Sequence, residues 1–281
     1  MPRWLLRPVR CGPELAHVEG VLEEAQLNTV CVGAKCPNRG ECYSAGTATF
    51  MIMGVRCTRG CGFCAVATGV CEPLDEGEPR RVAEAAIAMG LRHVVVTSVT
   101  RDDLPDGGAQ HFASTVSAVR DALPGATVEV LVPDFGGRDG DIDTVIEAGP
   151  DVFNHNVETV GRLYREVRPQ ADYERSLTVL ARSAGTGLAT KSGFMVGLGE
   201  TEDEVQGLLA DLLGTGCRLM TAGQYLRPSK ENLPVERYWE PAEFEALREK
   251  ALSMGFEAVA SGPLVRSSYF AHEMLDKRKA H

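Results

Sequence analysis

The residues most able to do chemistry in this sequence are its cysteines. The chain of 281 residues holds nine of them, and seven fall between positions 31 and 71. Six form two triplets: Cys31, Cys36 and Cys42 with C-x4-C-x5-C spacing, and Cys57, Cys61 and Cys64 with C-x3-C-x2-C spacing. Thiolates spaced this closely on glycine-containing loops are typical ligands of iron–sulfur clusters or zinc. The sequence therefore predicts two metal-binding loops.

The number of cysteines also bears on redox state and compartment. Three thiolates leave one iron of a four-iron cluster open, whereas structural zinc normally takes four protein ligands. An odd total excludes complete disulfide pairing, and a chain of this length has no need of disulfides to compensate for a thin core. The first eight residues lack the long apolar segment of a secretory signal. We therefore expect reduced thiols in a cytoplasmic protein, with a structural zinc-binding module as the alternative to an iron–sulfur enzyme.

Composition argues against two other classes of protein. The 29 basic and 39 acidic residues give a net charge of −10, which argues against nucleic-acid binding. No apolar run approaches the roughly 18 residues of a membrane-spanning helix, so we expect no membrane role. The apolar fraction of 44% and the charged fraction of 24% are close to globular averages.

The elements that must position these cysteines alternate between strands and helices. Apolar or β-branched runs predict strands over 48–54, 91–99, 127–132, 152–157, 189–198, 220–226 and 256–261. Helices are predicted over 15–27, 78–89, 111–123, 142–148, 173–184, 201–213 and 242–254. Thr201 and Glu204 form a capping box at the start of one helix, Gly90 and Gly149 follow the ends of two others, and the helix that begins at Tyr173 ends in Gly185. This alternation is typical of βαβ units with a parallel sheet, and it favours a full or partial barrel.

Two resemblances make the cysteine motifs more specific. A C-x3-C-x2-C triplet directly after the first strand of an α/β chain resembles radical S-adenosylmethionine enzymes. From about residue 28 to residue 269 the sequence resembles the lipoyl synthase family, in both triplets and in the Arg-Ser-Ser-Tyr element at 266–269. Further matching stretches lie at 48–54, 97–108, 152–156, 197–201, 223–226 and 262–269.

The resemblance implies a fold and two sets of cluster ligands. It implies an α/β fold with a partial (βα)6-type TIM-like barrel over 47–255, and extensions at both ends that carry an auxiliary cluster. The extension over 1–46 holds the first triplet, and the segment over 256–281 holds the Arg-Ser-Ser-Tyr element. The implied auxiliary 4Fe–4S ligands are Cys31, Cys36, Cys42 and Ser268, while Cys57, Cys61 and Cys64 would hold a second 4Fe–4S cluster that binds S-adenosylmethionine. From the residues alone, Ser268 would be an ordinary turn hydroxyl.

The resemblance also implies a reaction. One electron from the second cluster would cleave S-adenosylmethionine into methionine and a 5′-deoxyadenosyl radical. That radical would take hydrogen from C6 and C8 of an octanoyl group on a carrier lysine, and the auxiliary cluster would supply both sulfur atoms. Two molecules of S-adenosylmethionine would be consumed per lipoyl group. Another radical enzyme that inserts sulfur into a different substrate is the alternative.

Several partners are expected on the same ground. The carriers are the lipoyl domains of 2-oxoacid dehydrogenases and the glycine-cleavage H protein. A ferredoxin or flavodoxin would supply electrons, and other proteins would rebuild the auxiliary cluster. The chain itself is expected to be a monomer. Arginines at 3, 7 and 10 either help to dock an acidic carrier or are simply solvated.

Other positions are candidates for contact with S-adenosylmethionine, or are set aside. The candidates, most of them at or near predicted strand ends, are Phe63, Asn154, Asn156, Glu158, Lys191 and Gln224, each with a structural role as the alternative. Gly197 and Gly199 allow either close approach to the cofactor or a simple turn. Three aspartates are interpreted as loop and turn residues, namely Asp102, Asp103 and Asp106. The cysteines outside the triplets, Cys11, Cys71 and Cys217, are interpreted as non-ligands.

Overall fold

The structure is a computed structural model that describes residues 1–7, 10–269 and 271–279. The chain divides into two compact units. The N-terminal unit comprises Arg7–Arg59 and Ala65–Asp151, and the C-terminal unit comprises Met1–Leu6, Gly60–Cys64 and Val152–His281. No helix among the described residues has both the length and the apolar character to cross a membrane.

The N-terminal unit contains three parallel strands of the main sheet. Its elements in chain order are α1 (Pro13–Glu24), α2 (Val30–Gly33), α3 (Arg39–Ser44), β1 (Thr49–Ile52), β2 (Arg56–Cys57), β3 (Ala67–Thr68), α4 (Glu78–Ala88), β4 (His93–Ser98), α5 (Ala109–Ala122), β5 (Thr127–Leu131) and α6 (Asp139–Glu147). Strand β4 pairs in parallel with both β1 and β5, and β2 pairs with β3 in a separate short ladder.

The C-terminal unit contains four parallel strands. Its elements are β6 (Val152–Asn154), α7 (Tyr164–Val167), α8 (Tyr173–Gly185), β7 (Ala189–Val196), α9 (Glu202–Gly214), β8 (Leu219–Gln224), α10 (Pro241–Met254), β9 (Ala258–Gly262) and α11 (Ala271–Lys279). These strands pair in the order β6–β7–β8–β9. The order of the whole seven-stranded sheet is β1–β4–β5–β6–β7–β8–β9.

The strands are apolar because the sheet is covered on both faces. All six residues of β8 are buried, and α9 and α10 contribute Leu208, Leu209 and Phe244 to a core cluster with Val196. A parallel sheet enclosed in this way gives continuous apolar runs rather than alternating ones. This is the signal from which the strands were predicted, and the α/β class with a parallel sheet is confirmed.

Helix ends follow the predicted capping chemistry. The backbone N–H of Glu204 donates to Thr201 Oγ1 at 3.2 Å, and the N–H of Thr201 donates to Glu204 Oε2 at 2.8 Å, which confirms the capping box. Helix α8 ends in Gly185 as predicted, and the left-handed position is Gly187, with φ of 84°. A glycine can occupy either place because it has no Cβ.

The largest differences from the prediction lie around the first cysteine triplet. Helices α2 and α3 carry it, yet at 4 and 6 residues they are too short to show helical periodicity. The strand predicted over 152–157 ends at Asn154, because the chain turns through Glu158, whose φ is 66°. Helix α11 was not predicted. The division into segments 1–46, 47–255 and 256–281 stays a prediction.

Candidate cluster-binding site

The sulfur of Cys57 lies among backbone donors in the N-terminal unit. Cys57 ends β2, which is held by its parallel pairing with β3. Its Sγ accepts the backbone N–H of Arg59 at 3.4 Å and that of Thr100, after β4, at 3.3 Å. Hydrogen bonds to cysteine sulfur are one means by which proteins tune iron–sulfur clusters. The surroundings of Cys57 therefore fit a cluster ligand.

Arg59, two residues after Cys57, is anchored by two aspartates. Its side chain donates from Nε and Nη2 to the two oxygens of Asp102, each at 2.7 Å, and from Nη2 to Asp134 Oδ1 at 2.7 Å. Arg59 is only 7% exposed and Asp134 is fully buried. Burial lowers the pKa of the guanidinium, but the hydrogen bonds to both carboxylates outweigh it and raise that pKa above its ordinary value. The guanidinium of Arg59 is therefore always positively charged, and the two aspartates hold it in one orientation.

The segment with the other two cysteines of this triplet is held within the C-terminal unit. Gly62 donates its N–H to the Val167 carbonyl at 2.9 Å and accepts from the N–H of Leu233 at 3.0 Å. The side-chain amide of Asn232 donates to the carbonyls of Cys64 at 2.9 Å and Gly62 at 3.3 Å. A Cβ at Gly62 would lie 2.9 Å from the Leu233 side chain, so the close approach requires glycine.

The first triplet brings three thiols together in the N-terminal unit. Burial raises the pKa of Cys31 to about 11, and repulsion from Cys36 adds to the effect. The pKa of Cys42 is raised to about 12 by burial, then by repulsion from Cys31, Cys36 and Glu41. Repulsion from Cys36 thus contributes to the raised pKa of both other thiols. A cationic metal centre would offset their mutual repulsion, so the donor set fits a cluster.

No group of three or more His, Cys, Asp or Glu side chains in the described part of the chain is arranged to hold a single metal ion. All nine cysteines are free thiols. Two of those outside the triplets donate to backbone carbonyls: Cys71 to Arg56 at 3.1 Å and Cys217 to Thr190 and Leu219, each at 3.4 Å.

The Arg-Ser-Ser-Tyr element packs on the sheet of the C-terminal unit. Ser267 donates to Asn156 Oδ1 at 2.8 Å. Glycines make this packing possible: a Cβ at Gly193 on β7 would overlap the Ser267 hydroxyl, and one at Gly223 on β8 would overlap the Val265 carbonyl. The backbone just before Ser268 is thus held in place. The role of Ser268 as a cluster ligand stays a prediction.

The candidate contacts with S-adenosylmethionine all lie in the C-terminal unit. Asn154 and Lys191 are fully buried and paired in register on β6 and β7. Asn156 donates from Nδ2 to Glu158 Oε1 at 3.0 Å. Burial raises the pKa of Glu158, against the effects of Arg168 and Asn156.

Two candidates have contacts that favour the structural alternative. Phe63 packs against the core cluster of the C-terminal unit. The amide of Gln224 donates to the carbonyls of Val196 and Tyr225, each at 3.2 Å, and of Arg237 at 2.9 Å, and it accepts the N–H of Trp239 at 2.8 Å. All six predicted contacts with the cofactor remain untested.

Sequence reasoning missed the residues that hold the cluster loop. Asp102 was interpreted as a turn residue, whereas it binds Arg59. No role was expected for Arg59, Asp134 or Asn232. One signal was available: the stretch at 97–108 that carries Asp102 was already part of the family resemblance, and it follows a strand end.

Comparison with known proteins identifies the family. The model for the radical SAM superfamily matches residues 51–212. A lipoyl synthase of Caldanaerobacter subterraneus subsp. tengcongensis is 58% identical over 96% of this chain and 95% of its own length. One of Rubrobacter xylanophilus is 55% identical over 98% of this chain and 86% of its own length.

Solved structures agree on the fold. The structure of methylornithine synthase has a TM-score of 0.58 at 15% identity, and the match covers 82% of this chain and 67% of that one. Streptococcus suis SuiB bound to its precursor peptide SuiA has a TM-score of 0.58 at 12% identity, over 75% of this chain and 48% of that one. At such identities the likeness shows the fold alone.

A family model that spans more than half of the chain places it in the radical SAM superfamily, whose members use a 4Fe–4S cluster and S-adenosylmethionine. The relatives that match almost from end to end are more specific. The chain belongs to the lipoyl synthase family. The resemblance drawn from the two triplets and the Arg-Ser-Ser-Tyr element is confirmed.

The amide of Asn232 gives a first test of the loop. Asn232→Ala removes the donors to the carbonyls of Gly62 and Cys64, so we expect roughly a tenfold loss in retention of the cluster that the second triplet is predicted to hold. Iron content and 5′-deoxyadenosine release by the anaerobically purified protein are the measurements. Ser229→Ala is the matched control, because Ser229 donates to the opposite side of this amide, at Oδ1, at 2.8 Å. Normal iron content and normal release of 5′-deoxyadenosine in Asn232→Ala would show that the Asn232 amide is not needed to hold this loop.

Proposed function

We propose that this lipoyl synthase inserts two sulfur atoms, at C6 and C8 of an octanoyl group attached to a carrier lysine. The observation that carries the proposal is the presence of two separately built cysteine triplets in a chain whose relatives are lipoyl synthases over nearly their full length. One triplet would hold the cluster that serves the cleavage of S-adenosylmethionine, and the other would hold the cluster that supplies sulfur.

Cys57, Cys61 and Cys64 hold the reducing 4Fe–4S cluster. With S-adenosylmethionine bound, this cluster supplies the one-electron chemistry that removes hydrogen from an unactivated carbon. The chain's own part is to present the ligands. Two N–H groups point at the Cys57 sulfur, while Val167 and Leu233 fix the backbone of Gly62 between the other two ligands. Three thiolates leave the fourth iron open for the cofactor.

Cys31, Cys36, Cys42 and Ser268 hold a second, auxiliary 4Fe–4S cluster. Burial, and then repulsion from the neighbouring thiols, raises the pKa of Cys31 and of Cys42, and the bond from Ser267 to Asn156 fixes the backbone next to Ser268. A serine oxygen is a poorer match to iron–sulfur chemistry than a thiolate. A ligand that is readily released suits a cluster whose sulfur is consumed, at two molecules of S-adenosylmethionine per lipoyl group.

A basic cavity beside the first triplet is where we place the carrier. It has a volume of about 670 Å³ and is lined by Cys31 and Cys36. Its charged lining residues are Arg7, Arg10, Lys35 and Arg39, with Glu19 and Glu41. Four cations against two carboxylates make this cavity locally positive in a chain of net charge −10.

The ion pairs in this cavity are loose. Glu41 lies 3.5 Å from Arg7 and 3.7 Å from Arg10, and Arg39 lies 3.9 Å from Glu19. These distances exceed good hydrogen-bond length, so the guanidinium donors can turn to an incoming anion. Lys35 adds a further cation. Its backbone lies in the left-handed region, with φ of 51°, which a glycine would occupy at lower cost. The cavity therefore suits acidic residues that flank the octanoyl-lysine of the carrier.

The remaining partners follow from the family and are part of the proposal. The carriers are lipoyl domains of 2-oxoacid dehydrogenases and the glycine-cleavage H protein. A ferredoxin or flavodoxin supplies the electrons, and cluster-assembly proteins restore the auxiliary cluster. The enzyme works as a monomer in the cytoplasm.

Replacement of Cys61 by alanine tests the reducing cluster. Cys61→Ala should abolish release of 5′-deoxyadenosine and lower the iron content by one cluster, because two thiolates do not retain it. Cys11→Ala, at an exposed cysteine outside both triplets, is the control and should behave as the unchanged enzyme. Continued release of 5′-deoxyadenosine by Cys61→Ala would refute this ligand assignment.

Replacement of Cys36 by alanine tests the source of sulfur. Cys36→Ala should still cleave S-adenosylmethionine, since Cys57, Cys61 and Cys64 are intact, but it should add no sulfur. The measurement is mass spectrometry of an octanoyl-lysine peptide after anaerobic incubation, with the unchanged enzyme expected to add two sulfur atoms. Lipoyl product from Cys36→Ala would show that the auxiliary cluster is not the donor.

Peptides of different charge test the basic cavity. With glutamates next to the octanoyl-lysine, KM should be lower than with glutamines, and Arg39→Gln should reduce this preference by roughly 2- to 5-fold, as is usual for exposed ion pairs. Arg248→Gln, on the exposed surface of α10, is the control. If Arg39→Gln keeps the full preference for the acidic peptide, the carrier does not use this cavity.

A further inference from the structure

We propose that Arg59 is a positioning residue for the reducing cluster: clamped by Asp102 and Asp134, it fixes the two backbone N–H groups that donate to the Cys57 sulfur. The inference rests on the assignment of Cys57 as a ligand under the proposed function. It concerns residues other than the three cysteines of this triplet.

The two N–H donors belong to different segments of the chain. One is the backbone of Arg59 itself, and the other is the backbone of Thr100, 43 positions from Cys57. The fork between Arg59 and Asp102 joins these segments, since Asp102 follows Thr100 by two residues. Neither donor can move away from the sulfur without straining or breaking this fork.

Thr58 also connects the segment around Cys57 to the segment that follows β4. Its backbone N–H and its hydroxyl both donate to the Thr100 carbonyl, each at 3.0 Å. The backbone N–H of Asp102 in turn donates to the Thr58 hydroxyl at 3.1 Å. The Thr58 hydroxyl also lies 3.2 Å from Asp102 Oδ2, so the segment around Cys57 and the loop after β4 are joined by the hydrogen bonds of Thr58 as well as by the ion pair of Arg59.

Asp134 anchors the clamp in the interior of the N-terminal unit. Its carboxylate is fully buried, and Oδ1 also accepts the N–H of Gly136 at 3.1 Å. Asp134 precedes a turn in which Phe135 and Gly136 have φ of 48° and 64°. A buried carboxylate needs its partner, because an unpaired buried charge is strongly destabilising. Arg59 therefore has one place to lie, and its backbone N–H is fixed with it.

A fixed pair of N–H donors has a measurable electronic consequence. Hydrogen bonds to cysteine sulfur stabilise the more negatively charged, reduced cluster, and they are among the factors that set its potential. Loss of the clamp should therefore make the midpoint potential more negative and slow the cleavage of S-adenosylmethionine. Outer-shell changes of this kind usually cost roughly 10- to 100-fold in metal affinity or activity.

The test compares variants that separate charge from geometry. Arg59→Lys keeps the cation but loses the fork, and Asp102→Asn loses the ion pair but keeps an acceptor. Removal of a carboxylate charge alone would make the potential less negative, so a more negative potential in Asp102→Asn isolates the loss of the N–H donors. Arg248→Lys is the matched control, since Arg248 Nε lies 3.0 Å from both oxygens of Glu245 on an exposed helix face.

The measurements are made on the whole anaerobic protein with both clusters. The midpoint potential is followed through the electron paramagnetic resonance signal that changes on addition of S-adenosylmethionine, and 5′-deoxyadenosine release is timed. We expect a more negative potential and at least tenfold slower release in Arg59→Lys and Asp102→Asn, with Arg248→Lys unchanged. Loss of the responsive cluster with the auxiliary cluster intact would also support the clamp.

Two results would overturn the inference. One is an unchanged potential and rate in Arg59→Lys. The other is a midpoint potential in Asp102→Asn that is unchanged or less negative. That result would mean that the two N–H donors remain in place without the ion pair. Failure of the proposed function would look different, because the unchanged enzyme would then lack any cluster that responds to S-adenosylmethionine. If Arg59→Lys does not fold, Asp102→Asn decides, since its carboxylate is 44% exposed and its change leaves Asp134 paired.

Discussion

The loop between Cys57 and Cys64 depends on hydrogen-bond partners outside it, since the backbone groups of Cys57, Thr58 and Gly62 all bond to other segments of the chain. A loop of eight residues has too few groups to satisfy itself, and a buried N–H or carbonyl without a partner is costly. The partners come from the short β3 strand, from the residues after β4, from α7 and from the segment at 232–233. The shape of the loop therefore depends on contacts with elements that are distant in the sequence.

This dependence explains what could be predicted from the sequence and what could not. The spacing of the cysteines is local, so both metal-binding loops could be recognised at once. The parallel strands could be recognised because covered strands leave continuous apolar runs, and Thr201 and Glu204 mark a helix start through contacts three residues apart. The contact of Arg59 with Asp102 joins residues 43 positions apart, and that with Asp134 joins residues 75 apart. No local pattern reveals such pairs.

Local sequence patterns also fail to distinguish the roles of the polar residues near the carboxyl ends of the strands. Asn156, Glu158 and Gln224 look alike as polar residues at or just beyond strand ends, but their surroundings differ. Gln224 is committed to four backbone partners, so its amide stabilises the chain around Arg237 and Trp239. Asn156 instead connects Glu158 with Ser267 of the Arg-Ser-Ser-Tyr element. The contact with Ser267 depends on Gly193, since any side chain there would exclude the serine. Tertiary packing thus separates residues that sequence position groups together.

The two proposed cluster sites differ in how the protein treats their charge. At the first, the Cys57 sulfur receives two N–H donors, and the adjacent cation of Arg59 is balanced by carboxylates. At the second, burial and three negative neighbours raise the pKa of Cys42 to about 12, and they outweigh the hydrogen bond from Thr47. The first environment favours a bound cluster, whereas in the second a bound metal would have to offset the burial of the thiolates as well as the repulsion between them. This asymmetry suits the proposed reaction, in which one cluster persists through each turnover and the other gives up its sulfur.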